Sequence, residues 1–278
     1  MNGHQLVDLG GAARLERFGE RLVDRPSPGA LGSRAAPALW QDADLRFDRD
    51  GGWSGPAAEA GPWSVALDGL ALELRGTDAG QVGLFPEHAA MLPWLRERVT
   101  ARRTATEAPA VLHLFAYTGL ATLAMAAAGA SVTHLDAARP TVGWARQNAE
   151  RSGLAVRPIR WIVDDAVAFT EREVRRGRRY AGVVLDPPSY GHSPKTRAWE
   201  IERDLAPLLA AVAGLLDPEG FVLLTAHTPT YGEDRLAGAV GRAFRRPMDA
   251  LETGELRLAT DDGRSLALGA FARASGGA

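Results

Sequence analysis

The chain has 278 residues, 46% of them hydrophobic and 24% charged, which suffices for one large domain or a large and a small one and excludes general disorder. Its formal net charge of −2 supplies no global positive field for nucleic acid, so only a local basic patch could serve that purpose. There is no cysteine, which excludes disulfides, thiolate zinc sites and a cysteine nucleophile.

Residues 1 to about 60 mix arginine, proline and glycine with Trp40 and Trp53 scattered among them, and read as an irregular extension that packs by its aromatics. The first residues lack an apolar run of signal-peptide length, and no segment approaches the roughly 18 apolar residues of a membrane helix, so a cytoplasmic protein is expected. Val65 and Leu67 face Leu70, Leu72 and Leu74 across Asp68-Gly69, a short-range hairpin signal. After the glycine-rich "GQVG", the chain is expected to turn helical at Pro86.

From Ala110 the pattern changes to alternating strands and helices. "VLHLF" is a buried-type strand, "TGLATLAMAAAG" a helix closed by Gly129, "SVTHLD" a strand, and "RPTVGWARQNAERSG" a helix bounded by Pro140 and Gly153. "IRWIVDD", "AVAFTEREVRR", "GVVLDPP", "EIERDLAPLLAAVAGLL" and "GFVLLTAH" continue the alternation, which predicts a parallel sheet with helices on both faces. Leu256 and Leu258 alternate against Leu266 and Leu268 as a terminal antiparallel hairpin, giving seven strands in all. The expected division is an extension at 1–84 with its β-hairpin, followed by the larger domain at 85–278.

In such a sheet ligands lie beyond the carboxyl ends of the strands. The first end carries "FAYTG", Phe115 to Gly119, with one turn glycine and no G-x-G-x-x-G, so it is poorly built for a pyrophosphate and better suited to a nucleoside with a small zwitterion, such as S-adenosylmethionine. Asp136 ends the second strand, where its carboxylate can accept from ribose hydroxyls. Asp164-Asp165 ends the third, where a carboxylate can take an adenine amino group and the Ala166 amide a ring nitrogen; Asp164 reads better as a helix cap.

The fourth strand ends in "LDPPSYGHSPK". Asp186 and the carbonyl after it can accept from an amino or ring nitrogen, Pro187 and Pro188 stiffen the turn without competing donors, and Tyr190 can stack on a flat ring. The fifth ends in "TAHTPTY", offering Thr225, His227 and Thr228, with His227 a candidate proton acceptor. His192 and Lys195 lie in the acceptor loop and could touch a phosphate or carboxylate. Arg172, Arg175, Arg176, Arg178 and Arg179 could grip RNA phosphate or simply complement a helix C-terminus. Nothing in the sequence calls for a metal.

With "VLHLFAYTGLATLAMAAAGASVTHLDAARPTVGWARQNAERSGL", "IVDDAVAF", "LDPPSYGHSPK" and "WEIERD", the chain resembles the bacterial large-subunit rRNA methyltransferases, class I S-adenosylmethionine-dependent enzymes with cytosine-C5 and guanine-N7 branches. The resemblance runs from about 80 to 272 and implies a Rossmann-like α/β fold. It implies donor-pocket roles for Phe115, Ala116, Tyr117, Thr118 and Gly119, for Asp136 and Ala137 at the ribose, and for Asp165 and Ala166 at the adenine. "GQVGLFPEHAA", with Gln81 and Phe85, would flank that pocket, and Asp186 to Tyr190 would face the acceptor. The expected product is S-adenosylhomocysteine and the expected partner an rRNA-type RNA. Without a cysteine the covalent C5 route is closed, so direct transfer to a nitrogen is expected. The rivals are a small-molecule or protein side-chain acceptor and, in another class, a non-catalytic nucleoside- or RNA-binding relative.

Overall fold

The computed structural model describes residues 3–104, 107–191 and 197–276, so His192 and Lys195 lie outside the described residues. The chain divides into two compact units, one of residues 1–89 with 257–268 and one of 90–256 with 269–278.

The expected irregular extension is instead a sheet. Strands β1 (His4–Gly10), β2 (Ala13–Phe18), β3 (Arg21–Pro26), β4 (Leu45–Asp48) and β5 (Gly52–Ser54) form five strands in chain order. Tight turns at Gly10-Gly11-Ala12 and Gly19-Glu20 join the first three. Their apolar alternation is disguised because polar side chains share the interior. Glu16 is fully buried and accepts from Arg25 Nε at 3.0 Å, with Arg14 Nε and His4 Nε2 at 3.1 and 3.0 Å. Asp8, also buried, accepts from the amides of Leu9, Ala35 and Ala36, the Trp40 indole at 2.8 Å and Arg264 at 2.6 Å. Burial alone would raise both carboxyls, but these partners outweigh it and hold both far below the usual range. The expected hairpin is present as β6 (Trp63–Leu67) and β7 (Leu70–Leu74). The indole N–H groups of Trp40, Trp53 and Trp63 are all used inside this unit, on Asp8, the Thr77 carbonyl and the Phe18 carbonyl.

Pro86 opens a six-residue 3₁₀ segment, Pro86–Met91, and the α-helix proper, α1 (Leu92–Arg102), starts at Leu92. The chain then runs β8 (Ala110–Leu114), α2 (Leu120–Ala127), β9 (Ser131–Asp136), α3 (Arg139–Arg151), β10 (Ile159–Val163), α4 (Ala166–Arg175) and β11 (Tyr180–Leu185). After the two-residue ladder of β12 (Tyr190–Gly191) with β13 (Trp199–Glu200) come α5 (Ile201–Ala213), β14 (Leu216–Ala226), α6 (Glu233–Phe244), β15 (Glu252–Ala259) and β16 (Ser265–Ser275). The seven-stranded sheet has order β10-β9-β8-β11-β14-β16-β15, with five parallel strands and an antiparallel terminal pair, as expected from the sequence. Phe169 of α4, Leu205 and Leu209 of α5, and Leu236 and Val240 of α6 cover one face against Leu114, Val183, Leu185 and Leu224. Such fully buried aliphatic side chains each contribute about 1.5–3 kcal/mol. On β11, Gly182 has no substitute, since a Cβ there would lie 2.1 Å from the Phe221 ring.

Candidate active site

β8 and β11 are parallel neighbours, with Leu114 opposite Leu185, yet the chain goes from β8 outward to β9 and from β11 outward to β14. Strand order therefore reverses between them, and the loops after both strands open at that crevice.

The first loop is strained. Phe115 and Tyr117 both adopt left-handed backbone, φ 54° and 48°, which costs roughly 1–3 kcal/mol each for such residues and accumulates at functional sites. Three bonds hold it: the Ala116 amide donates to the Leu135 carbonyl at 3.0 Å, the Tyr117 amide to Asp136 Oδ2 at 3.0 Å, and the Asn148 side-chain amide to the Thr118 carbonyl at 3.0 Å. Gly119, at φ 94°, caps α2 where a Cβ would meet that of Ala145 at 3.2 Å. Asp136 thus shapes the loop as well as ending β9, and its other oxygen accepts from the Ala138 amide at 2.9 Å. Burial raises its carboxyl above the ordinary value, with the Ala138, Tyr117 and Ala137 amides pulling the other way. Ala137 itself is exposed.

At the next strand end the cap is not the expected residue. Asp165, not Asp164, caps α4, accepting from the Ala168 amide at 2.9 Å, while Asp164 pairs with Arg172. Two successive acids compete for a cap, and the one whose backbone is extended immediately before the helix takes it. Ala166 is the first residue of α4.

Across the crevice, Asp186 Oδ1 accepts from Thr225 Oγ1 at 2.6 Å and lies 3.7 Å from His227 Nε2. Pro187 is buried and Pro188 exposed, with the Pro188 carbonyl accepting from the Trp199 indole at 2.7 Å. Ser189 Oγ and Thr228 Oγ1 are 2.7 Å apart, and the Ser189 carbonyl takes the Ile201 amide at 3.1 Å. Tied down on both sides, the turn presents Tyr190 with 77% of its surface exposed. The Trp199 ring also packs 5.0 Å from that of Phe115, so one indole touches both loops.

The second unit thus brings together Phe115 to Gly119, Asp136, and Asp186 to Tyr190 with His227. Gln81 and Phe85 belong to the first unit, where Gln81 Oε1 accepts from buried Arg25 at 3.1 Å and the Phe85 ring lies 6.0 Å from His88. Of the five clustered arginines, Arg172 is paired with Asp164, Arg176 with Glu173 at 2.9 Å, and Arg179 donates to the Gly214 carbonyl at 2.7 Å.

Sequence reasoning missed a buried polar chain beneath the first loop. Thr122 Oγ1 of α2 lies 2.7 Å from His113 Nδ1 and 2.9 Å from His134 Nδ1. A hydroxyl has one proton, so it donates to one ring and accepts from the other. Burial pushes His134 down to about 3, so it is neutral. The signal was legible, since "HL" occurs at matching places in "VLHLF" and "VTHLD" and the two histidines pair in register.

A family model for S-adenosylmethionine-dependent methyltransferases matches residues 15–255. The chain belongs to that family. A SAM-dependent methyltransferase structure from Agrobacterium tumefaciens shares 35% identity and superposes with TM-score 0.90 over 99% of this chain and 91% of that one. A solved methyltransferase complexed with SAH superposes with TM-score 0.72 over 95% of this chain and 71% of that one, at 15% identity, and shows the fold alone. Among curated relatives, the ribosomal RNA large subunit methyltransferase K/L of Methylococcus capsulatus is 37% identical over 128 residues, 45% of this chain and 17% of that protein. Its counterpart in Magnetococcus marinus is 30% identical over 174 residues, 59% of this chain and 22% of that protein. The chain thus aligns with about a fifth of these relatives' length. No helix among the described residues is long and apolar enough to cross a membrane.

Proposed function

We propose that this methyltransferase transfers a methyl group from S-adenosylmethionine directly to a nitrogen of an RNA base, of the large-subunit rRNA type named in the curated relatives. The observation that carries the reading is the Asp-Pro-Pro-Ser-Tyr turn, held rigid beside the strained Phe115–Gly119 loop at the reversal of strand order, with Tyr190 exposed for stacking.

The residues fit the donor. A loop with a single close-packed glycine suits a nucleoside without pyrophosphate, and a carboxylate offers about four acceptor positions, so Asp136 can take a ribose hydroxyl beside its amides. When bound, S-adenosylmethionine supplies an electrophilic methyl group on sulfonium sulfur. Asp165 and the Ala166 amide address the adenine. Asp186, oriented by Thr225, accepts an N–H of the acceptor and aims the nitrogen lone pair, which is the positioning part of catalysis. Tyr190 holds the base plane by stacking. His227, 3.7 Å from that carboxylate, is placed to accept the proton released as the N–CH₃ bond forms and the S–CH₃ bond breaks.

The test pairs calorimetry with transfer of labelled methyl. Micromolar binding of S-adenosylmethionine and S-adenosylhomocysteine but not NAD, with label entering unmodified large-subunit rRNA at a base nitrogen, is expected. Donor binding with label entering only proteins or small molecules would overturn the RNA assignment. No donor binding would leave a non-catalytic relative.

A further inference from the structure

Overall charge and the arginine run at 172–179 gave no clear seat for an RNA backbone. The second unit supplies one elsewhere. Between α3 and the edge strand β10 lies a cavity of about 300 Å³ lined by Arg146, Ala149, Glu150, Leu154, Arg157 and Trp161, among others. Its charged members stand in solvent: Arg146, Glu150 and Arg157 are all exposed, and none of their side chains makes a hydrogen bond or ion pair among the described residues. Arg139, seven residues earlier on α3, is exposed and likewise makes no side-chain hydrogen bond or ion pair among the described residues, so this surface sets three guanidinium groups outside any ion pair against one carboxylate, with Arg146 lying over the Trp161 ring. In the run at 172–179, Arg172, Arg176 and Arg179 are spent on the protein's own acceptors, and Arg175 and Arg178, though exposed, do not line this cavity with its aromatic wall.

The cavity also has an aromatic wall. Trp161 is half-buried, with the Arg146 guanidinium 6.0 Å from its ring centroid. A ring exposed on one side, flanked by unpaired arginines, is the combination that holds a single-stranded nucleotide, the base stacking and the flanking phosphates bridging the cations. The ring is coupled to the donor side as well. Trp161 pairs in register with His134 and packs 4.8 Å from its ring, and His134 Cε1 lies 3.8 Å from the place a Cβ of Gly119 would take.

We propose that the α3–β10 cavity is a secondary nucleotide subsite for the RNA substrate, with a base against Trp161 and phosphates on Arg146 and Arg157. The proposal rests on the RNA reading above. Its test compares binding of an unmodified large-subunit rRNA transcript, and of polyphosphate as an anion without bases, to wild type, Arg146→Ala/Arg157→Ala and, as an equal charge change elsewhere, Arg175→Ala/Arg178→Ala. The cavity pair is expected to weaken RNA binding at least tenfold and to lower the slope of log affinity against log salt by about 1.4, the loss of two single-strand phosphate contacts. S-adenosylhomocysteine affinity and melting temperature should stay at wild-type values, polyphosphate, which has no base to seat against Trp161, should lose less affinity than RNA does, and the control pair should bind RNA nearly as wild type does. If wild type binds RNA but the two pairs lose affinity equally, or the cavity pair loses none, the subsite is wrong and the RNA reading stands. If wild type binds RNA no better than polyphosphate, the RNA reading itself falls and takes the subsite with it.

Discussion

Asp136 and Asp186 stand at the ends of two strands that flank β8, and the roles proposed for them are separable by substitution. Asp136→Ala removes acceptors from two loop amides and from the donor, so S-adenosylhomocysteine affinity should fall tenfold to a hundredfold, from charge-assisted bonds of about 1.5–3 kcal/mol. Asp186→Ala should leave that affinity within a few-fold and slow transfer, and equal loss of donor affinity in both would contradict the assignment. Burial raises the Asp136 carboxyl, so protonation favours the fold and costs donor binding: affinity measured by calorimetry should decline on acidification at a higher pH than an ordinary aspartate near 4 would give. Asp165 caps α4 and is the residue proposed for the adenine, and two substitutions disentangle these. Asp165→Ser keeps the cap on α4 and should preserve melting temperature while losing donor affinity, whereas Asp165→Ala loses both, about 1 kcal/mol of it from the cap.

At the scale of elements, the two loops are rigid because other segments hold them, and Trp199 is the piece they share. Trp199→Phe keeps a ring against Phe115 but removes the donor to the Pro188 carbonyl, worth about 1 kcal/mol net. The expected result is a lower turnover number with unchanged S-adenosylhomocysteine affinity, since only the acceptor turn is loosened. The main sheet was legible because its five parallel strands read as short apolar runs between helices and its terminal antiparallel pair as alternation. The helix α6 went unread although its buried Leu236, Ala237, Val240 and Gly241 fall at helical i, i+1, i+4, i+5 spacing, because two of the four are small and all lie among glycines and arginines. The N-terminal sheet went unread for a different reason, since Asp8, Arg14, Glu16 and Arg25 sit inside it and break the alternation that marks a strand. Strand-end acids were legible as a set, but which of Asp164 and Asp165 caps the helix depends on one residue's backbone angles, and residue type alone does not fix those.

For the whole molecule, the buried charges of the N-terminal unit set its response to acid. Glu16 and Asp8 are held below their unfolded values, so their stabilisation is fully present at neutral pH and is lost as pH falls through and below the ordinary carboxylate range near 4. Melting temperature should be level from about pH 7 to 5 and drop below that range. Glu16→Gln strands Arg14 and Arg25 in the interior and should cost about 3–5 kcal/mol. At roughly 4–8 °C per kcal/mol for a unit of about 100 residues, the unfolding transition of that unit should come about 12–40 °C earlier by calorimetry.

The tip of the terminal hairpin, residues 257–268, belongs to the N-terminal unit, where Leu258 and Leu266 pack with Leu6, Leu9 and Ala30, and Arg264 reaches Asp8. During synthesis the first 89 residues leave the ribosome about 170 residues before those partners exist. At about 5–20 residues per second that delay is roughly 10–30 s. For that interval β1 carries an uncovered apolar flank and the Asp8 carboxylate lacks its arginine, so this sheet waits for a segment made much later, and a nascent chain stalled before Arg257 would hold a half-built sheet for chaperones to guard.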